Sequence, residues 1–206
     1  MKITGWLPLE DKIYKNNQTD NYIGMQLLAG TLKPATGQPK DFASSYPYPQ
    51  PPKAHYNVFA TDNLRIEGML DTASPTHGAV ITHPHPLYGG DMDNPVVIAV
   101  QRAYRRQGIS TLRFNFRGVG ASEGCYDNGA GERRDVNAAL SFLSGRGVTT
   151  LDLAGYSFGA WVNAGTGGCF KRMIMVSPPV AFMSFDPTTP IPALQLIVTG
   201  GRDEIA

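Results

Sequence analysis

Residues 155–159 read Gly-Tyr-Ser-Phe-Gly, between a short apolar run at Thr149–Ala154 and a helix-compatible stretch from Ala160. A serine at the centre of G-x-S-x-G, on a strand-to-helix turn, is a nucleophile for acyl transfer. The turn forces it into a strained backbone conformation with its hydroxyl exposed. Glycines two residues to either side leave room for strand and helix to cross closely, and the helix N-terminus just beyond favours negative charge on the reacting atoms. The motif alone is weak, arising by chance in roughly one such chain in eight, so context must carry it. A second match, Gly120-Ala121-Ser122-Glu123-Gly124, runs on into Cys-Tyr-Asp-Asn-Gly-Ala-Gly, which is turn chemistry. Ser122 therefore reads as a satisfied turn hydroxyl and Ser157 as the elbow serine.

Such a nucleophile needs donors for the oxyanion. Thr82-His83-Pro84-His85-Pro86-Leu87-Tyr88-Gly89-Gly90 follows a core-type strand and precedes the first long helix, where a serine hydrolase places its second donor. Pro84 and Pro86 carry no N–H. The amides of His85 and Leu87 remain; His85 is preferred, with the amide of Phe158, directly after the serine, as its partner. His83-x-His85 with Asp91-x-Asp93 also has metal-ligand spacing. Asp93-Asn94-Pro95 is better explained as a helix start, and Gly89-Gly90 as a turn, so neither a metal nor a cofactor is expected. No glycine loop of phosphate-binding pattern follows a strand.

The elements that must position these groups alternate from about residue 56. Tyr56–Thr61 and Leu64–Leu70 flank Asp62-Asn63, a hairpin signal. Strands are predicted at Gly78–His83, Ile109–Phe116, Thr149–Ala154, Arg172–Ser177 and Ala193–Thr199. Helices are predicted from Pro95 to about Gln107, over Glu132–Leu143, and from Ala160. A hairpin followed by alternating strands and helices gives an α/β fold: a mostly parallel, doubly wound sheet with helices on both faces. Its site lies beyond the carboxyl ends of the strands, so the loops after residues 83, 116, 154, 177 and 199 share one rim. Residues 1–55 differ. They are polar, carry the proline-rich Tyr46-Pro47-Tyr48-Pro49-Gln50-Pro51-Pro52, and read as an N-terminal arm and linker before a domain at 56–206.

Taken in order, these motifs resemble the α/β-hydrolase superfamily, closest to small bacterial serine hydrolases with His-Pro-His-Pro in the oxyanion loop. Three further stretches are similar to family patterns: Phe116-Arg117-Gly118-Val119-Gly120-Ala121-Ser122-Glu123-Gly124 to the R-G-x-G-x-S loop, Glu132 with Asp135-Val136 to the helix after it, and Gly200-Gly201-Arg202-Asp203 to the G-x-x-D loop that carries the triad acid. The resemblance covers about residues 56–206. It implies that Ser157 is the nucleophile and Asp203 the acid. It also implies a base histidine after the acid, on a loop beyond one more strand. His55, His77, His83 and His85 all precede Ser157. The expectation is an α/β-hydrolase domain lacking its last strand, last helix and catalytic histidine in this sequence. The other readings of that departure are an inactive relative, or His85 acting as a substitute base from the neighbouring loop. Arg117 is expected to orient the rim loops through hydrogen bonds to carbonyls.

The implied reaction is hydrolysis of a small or medium carboxylic ester through a Ser157 acyl-enzyme. Leu87, Tyr156 and Phe182 are the substrate-facing candidates, with Met183 and Phe185 as further apolar wall; the gap from Ser177 to Ala193 is too short for a lid domain, and the same three aromatic and apolar side chains of that gap equally suit ordinary core. The alternatives are a non-catalytic binding protein on the same fold and a metal-dependent hydrolase using His83 and His85. The partner that the resemblance implies is a small-molecule ester. With 18 basic and 17 acidic residues among 206 the net charge is +1, which draws the chain to neither nucleic acid nor anionic membrane. Two cysteines without C-x-x-C argue against a disulfide scaffold or structural zinc. With no apolar leader and no membrane-length run, a cytoplasmic protein is expected. Its oligomeric state is not legible.

Overall fold

The structure is a computed structural model and describes residues 55–186, 191, 193–201, 203 and 205–206. The predicted arm, with its proline-rich segment, lies outside the described residues apart from His55. The elements run β1 (His55–Thr61), β2 (Leu64–Asp71), β3 (His77–Thr82), α1 (Pro95–Arg106), β4 (Ser110–Phe114), α2 (Ala130–Ser144), β5 (Thr150–Tyr156), α3 (Phe158–Ala164), β6 (Arg172–Val176) and β7 (Leu194–Val198). A single 3₁₀ turn, Pro86–Tyr88, precedes α1.

Local chemistry explains the punctuation. Asp62 and Asn63 both sit at positive φ, 48° and 65°, between the paired Thr61 and Leu64. That is the primed two-residue turn whose twist suits a hairpin, and the two residue types are among those that tolerate it. Asn94 caps α1, its side-chain oxygen accepting the Val96 N–H at 2.9 Å, with Pro95 in the first helical position. Gly108 follows the helix at φ 69°, where the chain turns into β4.

The seven strands lie in the order β1-β2-β4-β3-β5-β6-β7. Pairings β1–β2 and β2–β4 are antiparallel, and all others are parallel. Side chains alternate across this sheet as a period of two demands. Val80, Leu112, Phe114, Leu151, Leu153, Met173 and Met175 pack on one face with Val136, Leu140 and Leu143 of α2 and Phe158 and Val162 of α3. Ala79, Ile81, Ala154 and Val176 pack on the other with Val96, Val97, Val100 and Tyr104 of α1. The mostly parallel sheet covered on both faces is therefore the predicted architecture. Because β3 to β7 are parallel, their carboxyl ends open on one rim. Among the described residues no helix is long and apolar enough to cross a membrane.

Candidate active site

Ser157 stands between β5 and α3 at φ 53°, ψ −118°. For a non-glycine residue this conformation costs about 1–3 kcal/mol and persists only where the surroundings enforce it. They do so here. The Ser157 N–H donates to the Val176 carbonyl at 2.9 Å, while the Ser157 carbonyl accepts from Ala160 and Trp161 at 2.9 and 3.2 Å. The hydroxyl caps no helix amide, so it is not spent on its own backbone. The flanking glycines are required by space: a Cβ on Gly155 would lie 2.6 Å from the Ala160 nitrogen, and one on Gly159 2.7 Å from the His83 carbonyl oxygen. α3 begins at Phe158, two residues before the predicted start. The amides of Phe158 and Gly159 thus open the helix with no backbone acceptor among the described residues.

The loop after β3 approaches from the next strand, and its two histidines have different employment. His83 is fully buried. Its Nδ1 lies 2.6 Å from the Pro84 carbonyl, and its Nε2 accepts the Phe116 N–H at 3.0 Å. Nδ1 therefore carries the proton and the ring is neutral. Burial pulls its pKa down to about 4, against the Pro84 hydrogen bond that favours the proton. No ring nitrogen of His83 remains for a metal. Asp91 accepts the Asp93 N–H at 2.9 Å and Asp93 pairs with Arg113 at 2.6 Å, so the acidic pair serves the turn into α1. Among the described residues no group of three histidine, cysteine or acidic side chains could hold a metal ion.

His85 is half-buried, and its backbone N–H donates to nothing among the described residues. Its Nδ1 accepts the Leu87 N–H at 3.2 Å, and its Nε2 lies 3.3 Å from the Tyr126 hydroxyl. The Leu87 amide is thereby occupied, whereas the His85 amide has no acceptor among the described residues. The same bonds occupy the ring, so a substitute-base role for His85 has no free nitrogen to use.

Asp203 follows β7 on the same rim. Its Oδ1 accepts the Ile205 N–H at 3.1 Å, and its own N–H donates to Gly200. It lies near Tyr156, the residue before the serine: burial and then the Asp203 charge raise the Tyr156 hydroxyl above its ordinary pKa. Among the described residues no hydrogen bond joins Asp203 to Ser157. Ser122 is buried, donating to the Asn115 carbonyl at 2.7 Å and accepting the Glu67 N–H at 3.0 Å, as a turn hydroxyl should.

Two expectations need correction. Arg117 bonds carboxylates rather than carbonyls: it reaches Asp135 through Nε and Nη2, the latter at 2.7 Å, and Asp62 at 3.0 Å. Being buried beside a fully buried acid, it finds a countercharge more favourable than a neutral oxygen. Met183 and Phe185 do not line an open wall but pack against the core, because the Trp161 indole N–H holds the Ser184 carbonyl at 2.9 Å between them. The spacing of the metal-like histidines reflects a loop clamp. Of the substrate-facing candidates, Leu87 is 68% and Phe182 76% exposed, while Tyr156 is half-buried.

Two residues escaped sequence reasoning. Tyr126 joins His85 on the rim, and Trp161 is the platform over which Gly129 passes without room for a side chain. Glu132 is the signal that could have found this loop: its carboxylate accepts the N–H groups of Asp127 and Gly129 at 2.9 and 2.7 Å, closing the loop onto the start of α2.

No family model matches the chain. An uncharacterised protein of Rickettsia prowazekii (strain Madrid E) is 37% identical over 153 residues, which are 68% of this chain and 63% of that protein. The chain thus spans less than two thirds of that relative's length. Among solved structures, an α/β serine hydrolase homologue from Coxiella burnetii is 36% identical, with a TM-score of 0.67 over 73% of this chain and 76% of its own. A lidless α/β serine hydrolase from Xanthomonas campestris is 32% identical, with a TM-score of 0.67 over 77% of this chain and 75% of its own.

Proposed function

The chain belongs to the α/β-hydrolase family, and from that premise we propose that it is a serine hydrolase that cleaves a small or medium carboxylic ester. The Ser157 hydroxyl attacks the ester carbonyl as its proton passes to a base. The amides of Phe158 and His85 hold the oxyanion that forms. The C–O bond to the alcohol then breaks, the alcohol leaves with the proton, and water releases the acid from Ser157. Asp203 orients the base. The side chains of His77, His83 and His85 are each engaged elsewhere, on Asp152, on two backbone groups, and on Leu87 and Tyr126, so none of these three is offered as that base. Leu87, Tyr156 and Phe182 contact the ester.

The observation that carries this reading is the strained Ser157, held at φ 53°, whose hydroxyl and following amides have no partner among the described residues. Strain of this kind clusters at functional sites. A fluorophosphonate probe tests it. Labelling of the protein that is lost in Ser157→Ala and kept in Ser122→Ala supports the assignment, and p-nitrophenyl esters of graded chain length then define the acyl preference. An unlabelled wild-type protein would return the chain to a non-catalytic binding role on the same fold. Activity abolished by a chelator would restore the metal-dependent alternative.

A further inference from the structure

One side chain touches both residues whose amides are assigned to the oxyanion. The Tyr126 ring lies 5.1 Å from the His85 ring and 5.9 Å from the Phe158 ring, and the His85 and Phe158 rings are themselves 4.7 Å apart. We propose that Tyr126 is a positioning residue of the oxyanion site: its hydroxyl receives the Nε2–H of His85 and, through that ring, holds the His85 backbone N–H toward the cleft. This role rests on the serine-hydrolase reading and deepens it.

The direction of the hydrogen bond follows from proton accounting. A neutral imidazole carries one N–H. The Leu87 amide donates to Nδ1 at 3.2 Å, so the ring proton is on Nε2, 3.3 Å from the Tyr126 oxygen. Burial keeps this ring neutral, lowering its pKa although the Glu132 charge acts the other way. Burial also raises the Tyr126 phenol, helped by Glu132 and Tyr88, so Tyr126 meets the ring as a protonated hydroxyl whose oxygen accepts. The His85 side chain is then fixed at both nitrogens. Pro84 and Pro86 on either side restrict the backbone between them, so fixing the ring fixes the peptide that carries the donor.

The anchor is itself rigid. Glu132 at the head of α2 closes the loop after Tyr126 through Asp127 and Gly129, and Gly129 lies against Trp161 of α3. Tyr126 therefore ties the loop after β3 to α2 and α3, the second of which supplies the Phe158 amide. Both donors are referred to one frame, which preorganised stabilisation of a developing charge requires.

Tyr126→Phe keeps the ring contacts and removes the acceptor. In steady-state hydrolysis of a p-nitrophenyl ester, kcat is expected to fall about 5- to 20-fold with KM changed less than about twofold, the pattern of an interaction expressed in the transition state. Affinity for an alkylboronic acid, which forms a tetrahedral adduct on serine, should fall by the same factor while the thermal midpoint stays within about 2 °C. In a His85→Ala background the further change Tyr126→Phe should alter kcat less than about twofold, because the bond it removes is already gone. An equal loss in both backgrounds, a rise in KM alone, or no change would overturn the role. These outcomes are distinct from failure of the reading beneath: an unlabelled wild-type Ser157 sinks the hydrolase assignment and Tyr126 with it, whereas a labelled wild type with an unaffected Tyr126→Phe sinks only Tyr126.

Discussion

Protonating His83 should unfasten the site's first loop, and the energy involved can be worked from the structure. The neutral ring donates from Nδ1 to the Pro84 carbonyl and accepts the Phe116 N–H at Nε2. The imidazolium has two N–H groups and no acceptor, so its Nε2–H would face the Phe116 N–H inside a fully buried site. Burial lowers the folded-state pKa to about 4, against the Pro84 hydrogen bond, which raises it. In the unfolded chain the same group titrates near 6.5. Between these values the unfolded state binds more protons, so stability is complete above about pH 7 and is lost as pH falls toward 4. Over the whole window the loss is about 3 kcal/mol; between pH 7 and pH 5 it is about 2 kcal/mol.

Urea unfolding at pH 7 and pH 5, with wild type and His83→Gln compared, isolates this term. Carboxylates and the other histidines contribute to both proteins and cancel in the difference. Glutamine can still accept the Phe116 N–H but has no proton to gain. His83→Gln should lose about 1–3 kcal/mol at pH 7, from the broken bond to Pro84, and should show a flatter pH dependence. The wild type should lose about 2 kcal/mol more than the variant on going to pH 5, or about 4–8 °C in thermal midpoint. Parallel pH dependences in the two proteins would refute the reasoning, as would a His83 titration near 6.5 by NMR.

Two further perturbations probe the frame. Asp135→Asn strips the countercharge from the buried Arg117 and should cost about 3–5 kcal/mol, toward the low end because Asp62 still pairs with the guanidinium; urea midpoints read it out. Gly159→Ala places a Cβ 2.5 Å from Thr82 Oγ1 and 2.7 Å from the His83 carbonyl oxygen, whereas Gly167→Ala meets nothing within 4 Å; the first should cost more than about 2 kcal/mol and abolish Ser157 labelling, and the second should change neither stability nor labelling.

What the chain discloses divides by sequence distance. The hairpin at Asp62-Asn63, the cap at Asn94 and the elbow at Ser157 are local events, each set by a few adjacent residues whose backbone preferences agree with the fold, and each was legible. The partners that employ His83, His85 and Arg117 were not. Phe116 is 33 residues from His83, and Tyr126 is 41 residues from His85. No periodicity links such pairs; only the β4-β3-β5 strand order brings them to one rim. Histidine spacing that suggested a metal was read along the chain, while the groups that occupy those nitrogens arrive from across the sheet. The same division bears on chemistry. A strained serine stores energy only if its surroundings do not relax, and the surroundings here include long-range clamps: Ser157 on Val176, His83 on Phe116, Trp161 on Ser184. The turn at Ser157 is thus a local motif whose conformation depends on non-local bonds. Substitutions in those clamps should reduce the reactivity of Ser157 without touching it.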